Sequence, residues 1–500
     1  MIRYTSNKQL QIEEFAMPFE GKLDNGNRWV QMAEQMPWDE LAGIYYKNMN
    51  STMGAPSVDA RIIIGAVIIK HRMKLDDRGT IEMIQENPYM QYFLGLSGFT
   101  SEPVFDPSLF VSIRKRLGND QFDLMNQELI ARAEAGSVKK NKGTKKQNDQ
   151  PSSDQSFPPA KNKGKMQIDA TVADAVIKYP TDLGLLNDSR EKSEELIDKL
   201  CKRLELPVKP RTYRKEARKR YLLIAKKKNK NKKEVHRAIG EQLRFLKRNI
   251  NHLYKLLDHF DTLPFKKKED QKYFFVIQHV FAQQQEMYKE KKHSVANRIV
   301  SIHQPHVRPI VRGKSRSDVE FGAKIGVSLQ DGFSRVDTIS WEAYNEQIDL
   351  QKQIENYKSQ RGYYPELVQV DRIYLNRDNR AWLKERNIRY TGKPLGRPVQ
   401  QVLTAYQKRK ARKEQAERNW IEGKFGQGKN GYRLNYIRAR LQKTSESWIA
   451  AIFFVMNLIK FSKELFLSFI FSLKISVQNI ICQLDRVFRR NKTQQYKYAC

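Results

Sequence analysis

Residues 319–329, VEFGAKIGVSL, place Val319, Phe321, Ala323, Ile325, Val327 and Leu329 at every second position, with polar residues or glycine between them. Successive side chains of an extended chain point to opposite faces, so this spacing gathers six apolar groups on one side of a strand. Such a strand needs neighbours and a covering layer, and the chain supplies candidates. KMQIDATV sets Met166, Ile168, Ala170 and Val172 against Gln167, Asp169 and Thr171, and ELVQVDRIYL sets Val368 and Val370 against Gln369 and Asp371. RIVSIHQPHVRPIV, just before the longest strand, is expected to be its hairpin partner.

Helical patterns surround these strands. Residues 1–135 read as a helical domain: Ser57 is expected to cap DARIIIGAVIIKHRM, LDDRG to turn into TIEMIQEN and PYMQYFLGL, and Asp106-Pro107 to open SLFVSIRKRLG. Short helices and tight turns fit either a helix-turn-helix-like DNA reader or a dimerisation bundle. Residues 136–165 are rich in Lys, Ser and Pro and read as a flexible cationic linker. The strand patterns occupy 166–186 and 297–445, interrupted at 187–296 by a basic insertion. There Ile239, Leu243, Leu246, Ile250, Leu253 and Leu257 step by three or four, which predicts amphipathic helices packed as an antiparallel hairpin. Residues 446–500 read as a C-terminal helical segment. Its apolar run is broken by Lys460, Lys463 and Glu464 before reaching the ~20 residues of a membrane span.

The formal charge of +35 points to a polyanionic partner, and no membrane anchor is expected. MIRYTSNKQLQIEEF lacks the apolar core of a secretory leader, and Cys201, Cys482 and Cys500 have no pairing or metal-ligand spacing, which fits a reducing cytoplasm. His303 and His306 lack a further Cys or His pair, so a metal role is not expected of them. RPIVRGK, with Arg308, Arg312 and Lys314, is expected to be a DNA-facing hairpin, and core packing is expected for Trp382 and Trp420.

GKFGQGKN (423–430) comes within one residue of a nucleotide-binding loop, with Asn430 where a Mg²⁺-binding hydroxyl belongs. The preceding AYQKRKARKEQAERNWIE reads as a helix, not the strand such a loop requires, so no nucleotide is expected. On one continuous helix, Arg418 and Lys429 fall within about 40° of Glu422, and Glu417 points about 140° away. The bland alternative is an i,i+4 surface pair worth a few tenths of a kcal/mol. Asp169 and Asp371, in or at the end of strands where acids are disfavoured, tip the balance. Two strand-borne aspartates and one helix-borne glutamate suit a pair of Mg²⁺ ions, for which Mn²⁺ could substitute.

These segments resemble the DDE transposases of bacterial insertion sequences. PSVDARIIIGAVIIKHRMKLDDRGTIEMIQENPYMQYFLGL is similar to that family's helical N-terminal domain. The stretches around QIDATV, QVDRIY and ERNWIEGKFGQGKNGYRL are similar to its catalytic core, in order. The resemblance implies an α/β (α+β) fold: a ribonuclease H-like mixed sheet with flanking helices, a helical insertion and an all-α N-terminal domain. It implies Asp169, Asp371 and Glu422 as catalytic, metal-binding residues. In a related branch Tyr, Arg, Glu and Lys surround the last acid; Arg418, Glu422 and Lys429 match three of these positions, and Gln415 replaces the tyrosine. The implied activity is Mg²⁺-dependent cleavage and strand transfer at terminal inverted repeats, by a dimer or larger oligomer on double-stranded DNA in the cytoplasm, at the nucleoid. A ribonuclease H-like nuclease without strand transfer and a catalytically inactive DNA-binding relative remain the alternatives.

Overall fold

The computed structural model describes residues 11–17, 21–47, 49, 57–141, 162–314, 317–392 and 404–465, with the side chains of 135–141 and 312–318 excepted. Seven helices open the chain: α1 Arg28–Gln35, α2 Trp38–Tyr46, α3 Ala60–Met73, α4 Asp77–Glu86, α5 Pro88–Phe93, α6 Leu109–Arg116 and α7 Asn119–Asn141. Their starts follow from local chemistry. Asp59, not Ser57, caps α3, its carboxylate accepting from the Arg61 amide at 2.7 Å. Asp76 caps α4, and Asn87 caps α5 with Pro88 in the first turn, where its missing N–H costs nothing. The apolar run of α3 is buried on nearly every side. Of the expected linker 136–165, residues 136–141 continue α7, and 142–161 lie outside the described residues.

Strand β1 (Lys165–Asp174) leads into four helices: α8 Asp182–Arg203, α9 Arg214–Ala225, α10 Lys232–Leu257 and α11 Lys268–Glu290. The expected helical hairpin is thus a four-helix unit, with α11 (KEDQKYFFVIQHVFAQQQEMYKE) as a further long helix. Leu196, Ile197 and Leu200 of α8, Leu246 and Leu253 of α10 and Ile277 and Val280 of α11 form a separate apolar cluster. Then come β2 Arg308–Lys314, β3 Ser317–Gln330, β4 Phe333–Ser340, α12 Asp349–Arg361, β5 Leu367–Val370, α13 Arg377–Glu385, β6 Arg389–Tyr390 and α14 Ala405–Gly426. A final helix, α15, runs over 442–465.

The sheet runs β2-β3-β1-β5-β6, with β4 also paired to β3. β3 is antiparallel to β1, β2 and β4, and β5 is parallel to β1 and β6. This is a mixed, ribonuclease H-like sheet. The hairpin partner of β3 is confined to its expected end: 308–314 pair, and 300–307 form turns. Met166, Ile168, Val368 and Val370 face α12 and α13 in one cluster. The opposite face, carrying Ala323, Ile325, Val327 and Leu329, packs under α14 and α15.

Helix α15 joins the two ends of the chain. Phe453, Phe454 and Val455 are buried between the sheet and the N-terminal helices, the Phe454 ring packing at a tilt, 5.6 Å from Phe122 of α7. Asn457, fully buried, bonds Ser334 of β4 and donates to Asn126 of α7 at 3.0 Å. The Arg335 guanidinium grips both oxygens of Asp123 at 2.8 Å. The expected buried C-terminal helix is therefore present over its described part, and no described helix is long and apolar enough to cross a membrane.

Candidate active site

The centre of the site follows from strand register. β1 and β5 run parallel with Gln167 opposite Gln369 and Ile168 opposite Val370. One step further, Asp169 and Asp371 stand at the same level on strands ~4.8 Å apart. Because side chains alternate, both share the face of Gln167 and Gln369, which is the face α14 covers. The tie to α14 is direct: Gln167 donates to Gln369, and the Gln369 amide donates to the Glu414 carbonyl. Asp169 is half-buried and accepts from the Ala170 amide at 2.8 Å. Asp371 is exposed just past the strand and caps the short turn Arg372–Tyr374, accepting from the Arg372 amide at 2.7 Å. Tyr374, 1% exposed, backs the pair. Burial, then the charges of Glu346 and Asp169, push its phenol upward, so it stays protonated.

Helix α14 starts with a reciprocal capping box between Thr404 and Gln407. Its inward residues are Glu417, Ile421, Lys424 and Phe425. Glu417 is 6% exposed and pairs with Lys165 at the start of β1, at 2.7 Å, so it braces the helix on the sheet. Glu422 lies on the flank, its side chain 54% exposed, and accepts from Arg418 at 3.3 Å. Glu417 and Glu422 thus occupy different faces of α14, as the helical spacing predicts. Lys424 reaches the Gly332 carbonyl, and burial, then Lys460, lowers its ammonium to about 8.

The glycines of GKFGQGKN lie inside this helix. Residues 423–426 complete α14, and Gln427–Gly431 widen into a π turn. No strand leads into them, which excludes a phosphate-cradling loop of that type. The π turn also changes the aim of Lys429, whose ammonium lies 3.5 Å from Glu320 of β3 instead of beside Glu422. Lys74 of the N-terminal helices holds the turn from outside, donating to the Asn430 carbonyl at 2.9 Å. Glu320 occupies a polar position of β3, and no local sequence pattern signals its pairing with Lys429.

Other expected residues are placed differently. Arg308 folds back on the carbonyls of Pro305 and Val307, and burial lowers its guanidinium below the usual range. A freely DNA-facing Arg308 is therefore corrected. Of Arg312 and Lys314 only the backbone in β2 is described. His303 bonds the Tyr273 hydroxyl at 2.7 Å, and His306 packs edge-on against Trp341, burial pulling it down to about 4. Trp382 packs against the α12–β5 cluster as expected, whereas Trp420 is 59% exposed, contrary to expectation.

Among the described residues, no three Asp, Glu, His or Cys side chains stand close enough to hold a metal ion. The donors that fit a hard divalent cation are the level pair Asp169 and Asp371, with Glu422 on the exposed flank of the helix above their face.

Residues 368–459 match a family model described as a transposase DDE domain, and residues 17–116 match one described as a transposase domain (DUF772). The first match contains Asp371 and Glu422, and Asp169 lies before it. An uncharacterized protein, ORF8 in the nfe locus of Rhizobium meliloti, is 28% identical over 157 residues, 31% of this chain. That stretch spans 64% of the relative's own length. No solved structure matches.

Proposed function

We propose, for a chain that belongs to the DDE transposases of insertion sequences, that it binds the terminal inverted repeats of its element, cuts at their ends and joins them to target DNA. The observation that carries this reading is the parallel register that sets Asp169 beside Asp371 on the face under α14. Asp169, Asp371 and Glu422 would hold Mg²⁺, or Mn²⁺ in its place, and bound metal supplies Lewis-acid activation and charge neutralisation for in-line displacement at phosphorus. The chain's own part is placement. The strands fix two carboxylates, the capped helix brings the third, and Arg418 beside Glu422 offers a bidentate fork for a phosphate. Lys429 would add a second cation by leaving Glu320 for DNA. The N-terminal helices, locked to the catalytic sheet through α15, would read the element end. Two ends must be joined, so the working form is at least a dimer on double-stranded DNA, acting at the nucleoid in the cytoplasm.

The test is a labelled duplex carrying the element end, incubated with Mg²⁺ and an unlabelled plasmid. A cut at the end, followed by transfer of label to the plasmid, is expected of the wild type. Asp169→Asn, Asp371→Asn and Glu422→Gln should each lose cleavage and keep DNA binding. Full cleavage by any one of them removes that residue from the site, and cutting without transfer favours a plain nuclease.

A further inference from the structure

The first half of α14 projects from the sheet and buries no side chain. Residues 404–413 are all exposed, about 15 Å of helix with nothing packed on it. An open cleft of about 400 Å³, lined by Tyr406, Arg409, Lys410 and Lys413, separates it from the sheet edge at Leu367 and Arg389. This half of the helix has no apolar face to pack and is held only by its capping box and by continuity with the packed second half. It carries Lys408, Arg409, Lys410, Arg412 and Lys413 and no acid before Glu414.

The helical insertion neutralises part of its charge internally. There Arg214 pairs with Asp198, Arg220 with Glu216, Lys227 with Glu234 and Arg237 with Glu241, although Lys215, Arg218 and Lys219 of α9 show no ion pair among the described residues. The acids near the start of α14 are already engaged: Arg389 holds Glu366 at 3.3 Å and Glu414 at 2.6 Å. Among the described residues, the five α14 cations have no ion pair.

We infer that the projecting half of α14 is a duplex-DNA contact that tracks the phosphates beside the cut. At ~100° per residue, Lys408 and Arg412 form one row and Arg409 and Lys413 another, about 100° apart. Two rows on one helix meet phosphates on both sides of a groove, which a single strand does not offer. Arg409 and Lys413 precede Glu422 by 13 and 9 residues on the same helix, hence by roughly 20 and 14 Å. At ~3.4 Å per base pair, the contacted phosphates lie roughly four to six base pairs from the scissile one. The offset rests on the proposed role of Glu422; the binding does not.

Two measurements separate these. With metal omitted, the full-length protein is titrated against salt on an arbitrary 30-base-pair duplex and on the element-end duplex. Replacing Lys408, Arg409, Arg412 and Lys413 together by Gln should flatten the slope of log affinity against log salt by about 3 to 4 on both probes. The double variant Arg409→Lys, Arg412→Lys should keep the wild-type slope, and Lys413→Gln alone should lose about 1, so the test survives poor folding of the quadruple variant. Unchanged slopes overturn the inference whatever the fate of the active site. Phosphate-ethylation interference on the end duplex then reads position. Interference four to six base pairs from the mapped cut, absent in the quadruple variant, is expected. Interference unaffected by these substitutions overturns the placement even if the protein cuts.

Discussion

The N-terminal helices and the inserted helices α8–α11 are both α-helical, yet they attach to the sheet in different ways. The first group is separated from β1 by residues 142–164 and still shares one apolar cluster with β3, α14 and α15. The second follows β1 directly and keeps a cluster of its own. Distance along the chain is therefore a poor guide to mechanical coupling. The seam at the N-terminal helices is both apolar and polar: Phe122 on Phe454, Asn126 on Asn457 and Asp123 on Arg335. Removing Asn126 or Asn457 strands a buried amide, and removing Asp123 or Arg335 strands a partly buried charge, which makes the docking specific. On the proposed function, the helices that read the element end share an apolar cluster with the sheet that cuts it, and the inserted helices keep a separate one.

The sharpest way to break this contrast is Phe454→Ala. Phe454 is fully buried, so the loss should reach about 3–5 kcal/mol. Hydrogen exchange should quicken together in α3 and β3 and leave α10 unchanged; faster exchange in α3 alone would uncouple the N-terminal helices from the sheet. Leu246→Ala, at an equally buried position in the insertion, is the converse. A loss of about 3 kcal/mol is expected, with exchange quickening in α8, α10 and α11 and not in β3.

The seam also has a pH signature. Asp337 lies in the β4 bulge with no side-chain exposure, its carboxylate 3.7 Å from Arg335. Burial, only partly offset by Arg335, raises it from 3.8 to about 6. The folded chain thus keeps a proton that the unfolded chain loses. Stability from this group is complete below pH 4 and declines as pH rises through 6, by roughly 2–3 kcal/mol. Asp337→Asn should remove that decline, measured as the difference between the two denaturation curves from pH 4 to 7.5. Parallel curves would contradict it. The smallest effect is expected of Glu417→Gln. Lys165 is half exposed, so the pair contributes about 1 kcal/mol after solvent screening. Melting should drop slightly and cleavage persist.

How much was legible depended on whether the signal was local. Alternation located β1, β3 and β5, and helical spacing put Glu417 and Glu422 on different faces, because both periodicities are properties of the backbone alone. Gln167 sits on the polar side of the alternation and is buried, since Gln369 links it to α14, more than 230 residues away. The aim of Lys429 was misjudged because a π turn cannot be read from a 3.6-residue repeat. Ser57 and Asp59 are both good caps by residue type, and the helix starts after Asp59, whose carboxylate accepts from the Arg61 amide. The fusion through α15 was invisible: its apolar run says buried, not against what.

The most direct test of the site itself needs no knowledge of the element's sequence. Fe²⁺ loaded in place of Mg²⁺, with ascorbate and peroxide, generates radicals that cleave the backbone beside the bound ion. If Asp169, Asp371 and Glu422 share one metal centre, fragments should end near residues 169, 371 and 422. All three cuts should fade together when Mg²⁺ is added in excess or when Asp169→Asn is substituted. Cuts near 169 and 371 without one near 422 would remove α14 from the centre, and cleavage elsewhere in the chain would contradict the assignment outright.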